Sequence, residues 1–311
     1  MDPLADVLDL GRVRGALMGT VRAGAPWGLA LPQSTGASFH AITAGTAWLR
    51  VDGREPLQLM PGDLVLLPAG IPHRVSSEPG GPTMPFDRTM KERVMTPAGD
   101  IPLPGPGATT TFVCAGYDYD LDVAQPLMRL LPDVVHVPAD AAAGRDVAAL
   151  VDLLAGEVGS RSPGSRAAIA RLIDLLLISA LRRWNDAQPD DAPASWLTAL
   201  RDPTIAEVLA VLHDRPGESW TLDALAGEVH LSRATLARRF TEAVGEPPLT
   251  YLARWRMHLA AHHLKHSNDT VETIARTVGY TSEYAFNRAF ARHRGQPPGR
   301  YRRRTLAAAR D

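Results

Sequence analysis

Apolar and polar positions change rhythm twice along this chain. From Trp27 to Val75 the rhythm is close to two. Trp48-Leu49-Arg50-Val51 alternates and stops at Asp52-Gly53, a hairpin signal, and Gly62 and Pro68 bracket the buried run Leu64–Leu67, so this stretch predicts short strands. From Glu78 to Thr111 prolines and glycines recur without period, which predicts a long loop, a flap over the strands. Phe112 to Tyr119 reads as a returning strand, and Pro126 to Pro132 as a short amphipathic piece. Beyond it the period becomes helical in DVAALVDLLAGEVG and RAAIARLIDLLLISALRRW. Leu172, Leu175, Leu176, Ile178 and Leu181 make one rich face there, which either packs on the strands or pairs with its twin in a dimer. Asn185 to Ser195 is polar and proline-bearing and reads as a linker, and WLTALRDPTIAEVLAVLHDRP resumes a helical period.

The last hundred residues are written twice. Thr221, Leu225, Ala226 and Val229 return as Thr270, Ile274, Ala275 and Val278, and Ser232, Leu236, Arg238, Phe240, Gly245, Pro247, Pro248 and Tyr251 as Ser282, Phe286, Arg288, Phe290, Gly295, Pro297, Pro298 and Tyr301. Each copy carries a helix-turn-helix pattern. A small Ala226 or Ala275 lets two helices approach, and Ser232 or Ser282 caps the second of them. Leu236 with Phe240, and Phe286 with Phe290, then turn to the core. Ala234, Ala237, Arg238 and Thr241 face outward, as do Tyr284, Asn287, Arg288 and Ala291. Small residues, Arg and Asn on such a face suit a major groove, where Arg can bond guanine and Asn adenine. The proline-free stretch Leu249–Ser267, with Leu249, Leu252, Trp255, Leu259 and Leu264 near helical spacing, predicts one long helix holding the copies at a fixed separation. Two reading heads could then enter groove segments roughly 34 Å apart.

Charge agrees with this division. The chain's net charge is −1, but from Ser232 onward 15 Lys/Arg face 6 Asp/Glu. Arg300, Arg302, Arg303 and Arg304 follow the second copy and are expected on phosphates, where they position without reading sequence. The N-terminus lacks a basic start and an apolar core, and no run of 18 apolar residues occurs, so neither a signal peptide nor a membrane span is expected.

Gly279-Tyr280-x-Ser282, Phe286-x-Arg288-x-Phe290 and Gly295-x-Pro297-Pro298-x-x-Tyr301 together resemble the DNA-binding domain of the AraC/XylS family of bacterial transcription regulators. The resemblance places base contacts on Ala234, Ala237 and Arg238 in the first recognition helix and on Glu283, Tyr284, Asn287 and Arg288 in the second. It implies a double-stranded DNA partner with two adjacent major-groove boxes, and RNA polymerase as a further partner. Two alanines leave the first helix few hydrogen-bonding groups, so its sequence reading is expected to be the weaker.

Gly62, Pro68, Gly70 and His73 match the second motif of the cupin barrel, a fold whose double sheets enclose ligand cavities. The first motif is degraded. His40 has no second His two residues away, and Ser38 stands about where a metal-binding Glu would, so no metal or other cofactor is expected. His40, Trp48 and His73 are the expected walls of an effector pocket. Cys114, Gly116, Tyr117 and Leu130-Leu131-Pro132 resemble the sensor domain of one branch of the same regulators, some of which look like oxidant or electrophile sensors. Cys114 is the one cysteine, which excludes an intramolecular disulfide and fits a reducing compartment. Flanked by Phe112, Val113 and Ala115, with no Lys, Arg or His near it in sequence, it reads as a buried strand residue; a redox role is the alternative.

The expected architecture is therefore multidomain α+β. Residues 1–138 form a cupin-like antiparallel double-sheet barrel, 139–184 a helical connector able to dimerise, 185–195 a linker, and 196–305 an all-α domain of two helix-turn-helix motifs joined by a long helix. The expected function is a cytoplasmic bacterial transcription regulator, an activator by family habit, nucleoid-associated when bound and controlled by a small molecule or oxidant. It is not expected to be an enzyme. The alternatives are a metal-dependent cupin enzyme with an appended DNA-binding module, and an architectural DNA binder whose barrel serves only for pairing.

Overall fold

The computed structural model describes residues 2–96, 99–119, 127–139, 145–160, 162–189 and 191–308. They fall into two compact units, one of Val13–Tyr119 with Met128–Ala187, the other of Met1–Arg12, Asp120–Leu127 and Gln188–Asp311. Helix α1 (Pro3–Leu10) thus belongs with the C-terminal unit. Its start is written in the sequence, since Asp2 accepts from the Leu4 and Ala5 amides and Pro3 takes the first helical position.

The two-sheet unit contains β1 (Arg14–Gly24), β2 (Gly28–Leu31), β3 (Ala37–Ala44), β4 (Ala47–Arg50), β5 (Leu57–Leu59), β6 (Leu64–Leu67), β7 (His73–Ser76), β8 (Met84–Pro85), helix α2 (Arg88–Val94), β9 (Asp100–Leu103), β10 (Thr109–Asp118) and β11 (Val135–Val137). One sheet has the order β11-β6-β3-β10-β1-β9 and the other β5-β4-β7-β2-β8, so the strands form two facing sheets rather than one closed barrel. The segment expected to be a flap is in part regular. It supplies α2 and both β8 and β9, which join the sheet edges in parallel to β2 and β1 and make the sheets mixed instead of purely antiparallel. Loop-like composition misled here because an edge strand tolerates the prolines that a central one cannot.

Alternation decides what each strand contributes. Phe112 and Cys114 of β10, Ile42 of β3, Val65 and Leu67 of β6, and Leu29 and Val75 of the opposite sheet meet in the space between the sheets. Val113, Ala115 and Tyr117 point the other way, towards α3 (Arg145–Gly159) and α4 (Ser165–Asp186). The Tyr117 hydroxyl donates to the Ile173 carbonyl at 2.7 Å, and the Gly15 amide donates to Asp174 at 2.9 Å. A Cβ on Gly15 would lie 2.1 Å from Ile173 Cγ2, so glycine is required for this approach. The rich face of α4 is consequently divided. Leu176 and Leu181 are buried with Ile173 and Leu177, while Leu175 is 41% exposed. The helix runs through Asp186, two residues into the expected linker. The amphipathic piece expected from Pro126 lies outside the described residues up to 126; Leu127, Met128 and Leu131 are buried.

The C-terminal unit continues with α5 (Trp196–Ala199), α6 (Pro203–Asp214), α7 (Leu222–Glu228), α8 (Arg233–Val244), α9 (Pro248–His266), α10 (Val271–Thr277), α11 (Glu283–Arg294) and α12 (Pro298–Ala308). The repeat is structural. Thr221, Ser232, Thr270 and Ser282 each cap a helix through the side chain, and α8 and α11 both stop at a glycine in the left-handed region, Gly245 at φ 89° and Gly295 at φ 69°. Helix α9 spans the predicted long helix. Its Tyr251 packs on Phe240 of the first copy, and Met257, Ala260, Ala261 and Leu264 pack on Ile274, Phe286, Phe290 and Tyr301 of the second. Leu249, counted in its apolar row, is instead 41% exposed; Tyr251 takes the inward place. Among the described residues no helix is long and apolar enough to cross a membrane.

Candidate nucleic-acid interface and a buried histidine pair

Helices α8 and α11 turn their predicted faces outward. Ala234, Arg238 and Thr241 are exposed and Ala237 is half-buried; Glu283, Tyr284 and Arg288 are exposed and Asn287 is half-buried. On the inner side Leu236, Phe240, Phe286 and Phe290 are fully buried. The outward side chains are already paired. Arg238 bonds both oxygens of Glu242 at 3.1 and 2.9 Å, while the Arg288 guanidinium stands over the Tyr284 ring, 5.8 Å from its centroid. Asn287 donates to Glu283 at 3.5 Å, a weak bond that a base edge can replace. Both faces therefore offer what direct readout needs, exposed donors on a rigid helix.

The arginine run on α12 divides. Arg300, Arg303 and Arg304 are exposed. Arg302, expected on a phosphate, donates instead to the carbonyls of Leu264 and Asp269, where it closes the end of α9. Arg256 does similar work before α7, donating to Pro216 and Glu218 carbonyls. Sequence spacing cannot separate these structural arginines from exposed ones.

In the two-sheet unit β3 and β7 bring the two sequence-selected histidines together across the sheets. His40 Nε2 and His73 Nε2 are 2.7 Å apart, His73 Nδ1 is 2.8 Å from the Ile71 carbonyl, and His40 Nδ1 is 3.2 Å from Cys114 Sγ. A carbonyl only accepts, so His73 Nδ1 carries a proton, and in the neutral ring its Nε2 accepts from His40 Nε2–H. His40 Nδ1 is then left to accept from the Cys114 thiol. Burial first, and the neighbouring His73 second, hold His40 well below the usual 6.5; burial also lowers His73. Burial pushes the Cys114 thiol up to about 12, so the imidazole beside it does not ionise it. Cys114 lacks basic neighbours in sequence but has one across the ladder, as His40 is its direct register partner.

These residues do not fit a cupin metal. Each Nε2 is engaged by the other, His73 Nδ1 by Ile71 and His40 Nδ1 by Cys114, and at the position of the missing carboxylate Ser38 meets Ser34 Oγ at 3.3 Å. Among the described residues no group of three or more His, Cys, Asp or Glu is placed to hold a metal ion.

Trp48 is separated from the pair. Ala47 and Leu49 point into the core, so Trp48 between them lies on the outer face of β4, opposite Ser76 and Gln58 in register. A cleft of about 310 Å3 instead reaches His73, lined by Leu31, Pro32, Asp52, Arg74 and Phe86 among others. A second, of about 410 Å3, is lined by Leu49, Val51, Arg54, Leu57, Val134 and His136. Sequence reasoning also missed the buried His213, which stacks on Trp255 at 3.9 Å and lies between Asp6 of α1 at 3.2 Å and the Tyr251 hydroxyl at 2.7 Å. Its signal was the capped, amphipathic start Asp2-Pro3-Leu4 of α1.

Comparison with known proteins covers both halves. A family profile described as "Cupin" matches residues 2–186, and one described as "Helix-turn-helix domain" matches 225–304. An AraC-like transcription regulator of Streptomyces lividans is 37% identical over 97% of this chain and 98% of its own length. The RCS-specific HTH-type transcriptional activator RclR of Escherichia coli (strain K12) is 27% identical over 99% of this chain and all of its own. Among solved structures, the DNA-binding domain of AdpA in complex with a target DNA is 31% identical, with 34% of this chain and 95% of that one covered at a TM-score of 0.33.

Proposed function

Since this chain belongs to the AraC-like family of transcription regulators, we propose that it binds promoter DNA at two adjacent major-groove boxes and activates transcription in response to a signal taken up by its cupin part. The observation that carries this is the duplicated, identically capped pair α8 and α11 with Arg238, Asn287, Arg288 and Tyr284 turned outward. The similarity to the transcriptional activator RclR over its whole length supports the same reading. Base contacts are assigned to Ala234, Ala237, Arg238, Glu283, Tyr284, Asn287 and Arg288, and a phosphate contact to Arg303.

The effector is assigned to the cleft walled by His73, whose ring is bonded to His40 and through it to Cys114; Trp48 is not among its walls. A useful switch needs the effector to favour one state by about 1–3 kcal/mol. Pairing with a second copy is assigned to the groove between α3 and α4, where Leu153 is 59% exposed beside Ala149, Gly156, Ala168 and Leu172. RNA polymerase is the further partner that activation requires. The alternative, a metal-dependent enzyme, has no observation in its favour at the His pair.

The test is selection of bound duplexes from a random pool with the full-length reduced protein, repeated after mild hypochlorite treatment. Two boxes about one helical turn apart are expected. Different enrichment after oxidation assigns the signal to Cys114, unchanged enrichment assigns it to a small molecule in the cleft, and recovery of no site removes the regulator reading.

A further inference from the structure

Among the many differences between the two recognition helices, two surround the arginine that both keep. Ala234 of the first is replaced by Tyr284 in the second, and Glu242 by Arg292. The first change gives the second helix an aromatic ring, 72% exposed, one turn before Arg288. The second removes the carboxylate that occupies Arg238 in the first copy. Arg288 therefore stands over the Tyr284 ring and, among the described residues, without an ion pair, whereas Arg238 is paired with Glu242 within its own helix.

From this asymmetry we propose that α11 reads a guanine preceded by a base bearing a 5-methyl group, the step 5′-TG-3′, through the Arg288–Tyr284 pair. The proposal rests on the reading that both helices enter the major groove. A guanidinium bonded bidentately to guanine O6 and N7 lies in the plane of that base, so its two faces look along the helix axis at the neighbouring steps. Tyr284 covers one face and restrains the rotation of a long side chain that would otherwise be ordered only on binding. The other face is left to the C5 substituent of the 5′ neighbour. A thymine methyl fills that position in van der Waals contact; the hydrogen of cytosine leaves a gap there. The first helix has neither device. Its arginine would have to break a two-oxygen contact to Glu242 before reaching a base, and its Ala234 and Ala237 offer only methyl contacts.

The test uses the full-length protein and duplexes carrying its selected site, with single-atom changes in the second box. Replacing thymine by deoxyuridine removes only the methyl and is expected to weaken binding by about fourfold, the worth of one buried methyl group. 5-Methylcytosine at that place is expected to bind like thymine, and cytosine like deoxyuridine. Replacing the guanine by 7-deazaguanine is expected to weaken binding at least fivefold, in the lower part of the range for a bidentate contact of roughly 5- to 150-fold. Arg288→Ala is expected to abolish both discriminations. Tyr284→Ala is expected to abolish the methyl effect and keep the guanine preference, and Tyr284→Phe to keep both. Both side chains are exposed, and unchanged thermal melting of the variants confirms that they fold. Equal binding to thymine and deoxyuridine, with guanine preference still lost in Arg288→Ala, overturns the inference and leaves the groove reading standing. Affinity and preference unchanged in Arg288→Ala overturns the groove reading itself.

Discussion

His40 of β3 hydrogen-bonds His73 of β7 across the space between the two sheets, Nε2 to Nε2 at 2.7 Å. Only one proton lies between them, and each remaining ring nitrogen has its own partner, Cys114 and the Ile71 carbonyl. The pair is thus a neutral cross-sheet tie whose integrity depends on neither ring gaining a second proton. Both folded-state pKa values lie below the usual 6.5, so the unfolded chain binds protons first as pH falls. The tie's contribution is present in full above pH 6.5 and is lost as pH falls from there towards the folded values. The thiol sets the opposite limit, because unfolded Cys114 ionises near 9 and folded Cys114 near 12, so stability also declines as pH rises above 9. Hydrogen exchange of β3 and β10 amides, corrected for intrinsic rate, is expected to show a protection plateau from about pH 7 to 9. Protection unchanged at pH 5 would mean that the pair is not neutral in the folded protein.

Arg302 and Arg303 are neighbours with different work. Arg303→Ala is expected to leave thermal stability unchanged, to weaken binding to all duplexes alike and to lower the slope of log affinity against log salt by about one. Arg302→Ala removes two donors to backbone carbonyls and is expected to cost about 1–2 kcal/mol of stability, read from denaturant unfolding. Equal loss of stability in both variants would contradict the division.

Glu242 restrains Arg238 across an exposed pair, with side chains 60% and 64% exposed. Such a pair is worth about 0.3–0.5 kcal/mol. Glu242→Gln is accordingly expected to leave folding nearly unchanged while raising affinity for random-sequence duplex and steepening the salt slope by about one. Lowered affinity would mean that the carboxylate itself meets a base.

Helix α1 is expected to be part of the fold of the C-terminal unit. Leu4, Val7 and Leu8 are buried there, and Asp6 reaches the buried His213. Leu4→Ala is expected to cost about 2–3 kcal/mol, read as earlier loss of protection in α6 and α9 while the two-sheet unit keeps its own. Loss confined to the two-sheet unit would place α1 elsewhere.

What could be read in advance was whatever repeats. The duplicated helices were legible because caps, inward aromatics and glycine stops recur at fixed spacing, and each of those residues has one physical job. His40 and His73 were legible as a pair through a spaced motif, but their bond to Cys114 was not, since register across β3 and β10 joins residues 74 apart. Trp48 was misplaced because an alternating strand leaves open which of its two faces turns inward until the sheet is assembled. The segment from Glu78 to Thr111 reads as a loop by composition and becomes edge strands by pairing, which composition does not encode.

The discontinuous make-up of the C-terminal unit has a consequence for how the chain is made. Asp6 and its partner His213 are 207 positions apart, so at ordinary rates of synthesis α1 leaves the ribosome roughly 10–40 s before the helix that will bury it. In that interval the two-sheet unit can complete itself, and Leu4, Val7 and Leu8 have no partner of their own. Helix α1 is thus made early and buried late, and a message cut short before α6 would yield a protein whose apolar helix has nothing to cover it.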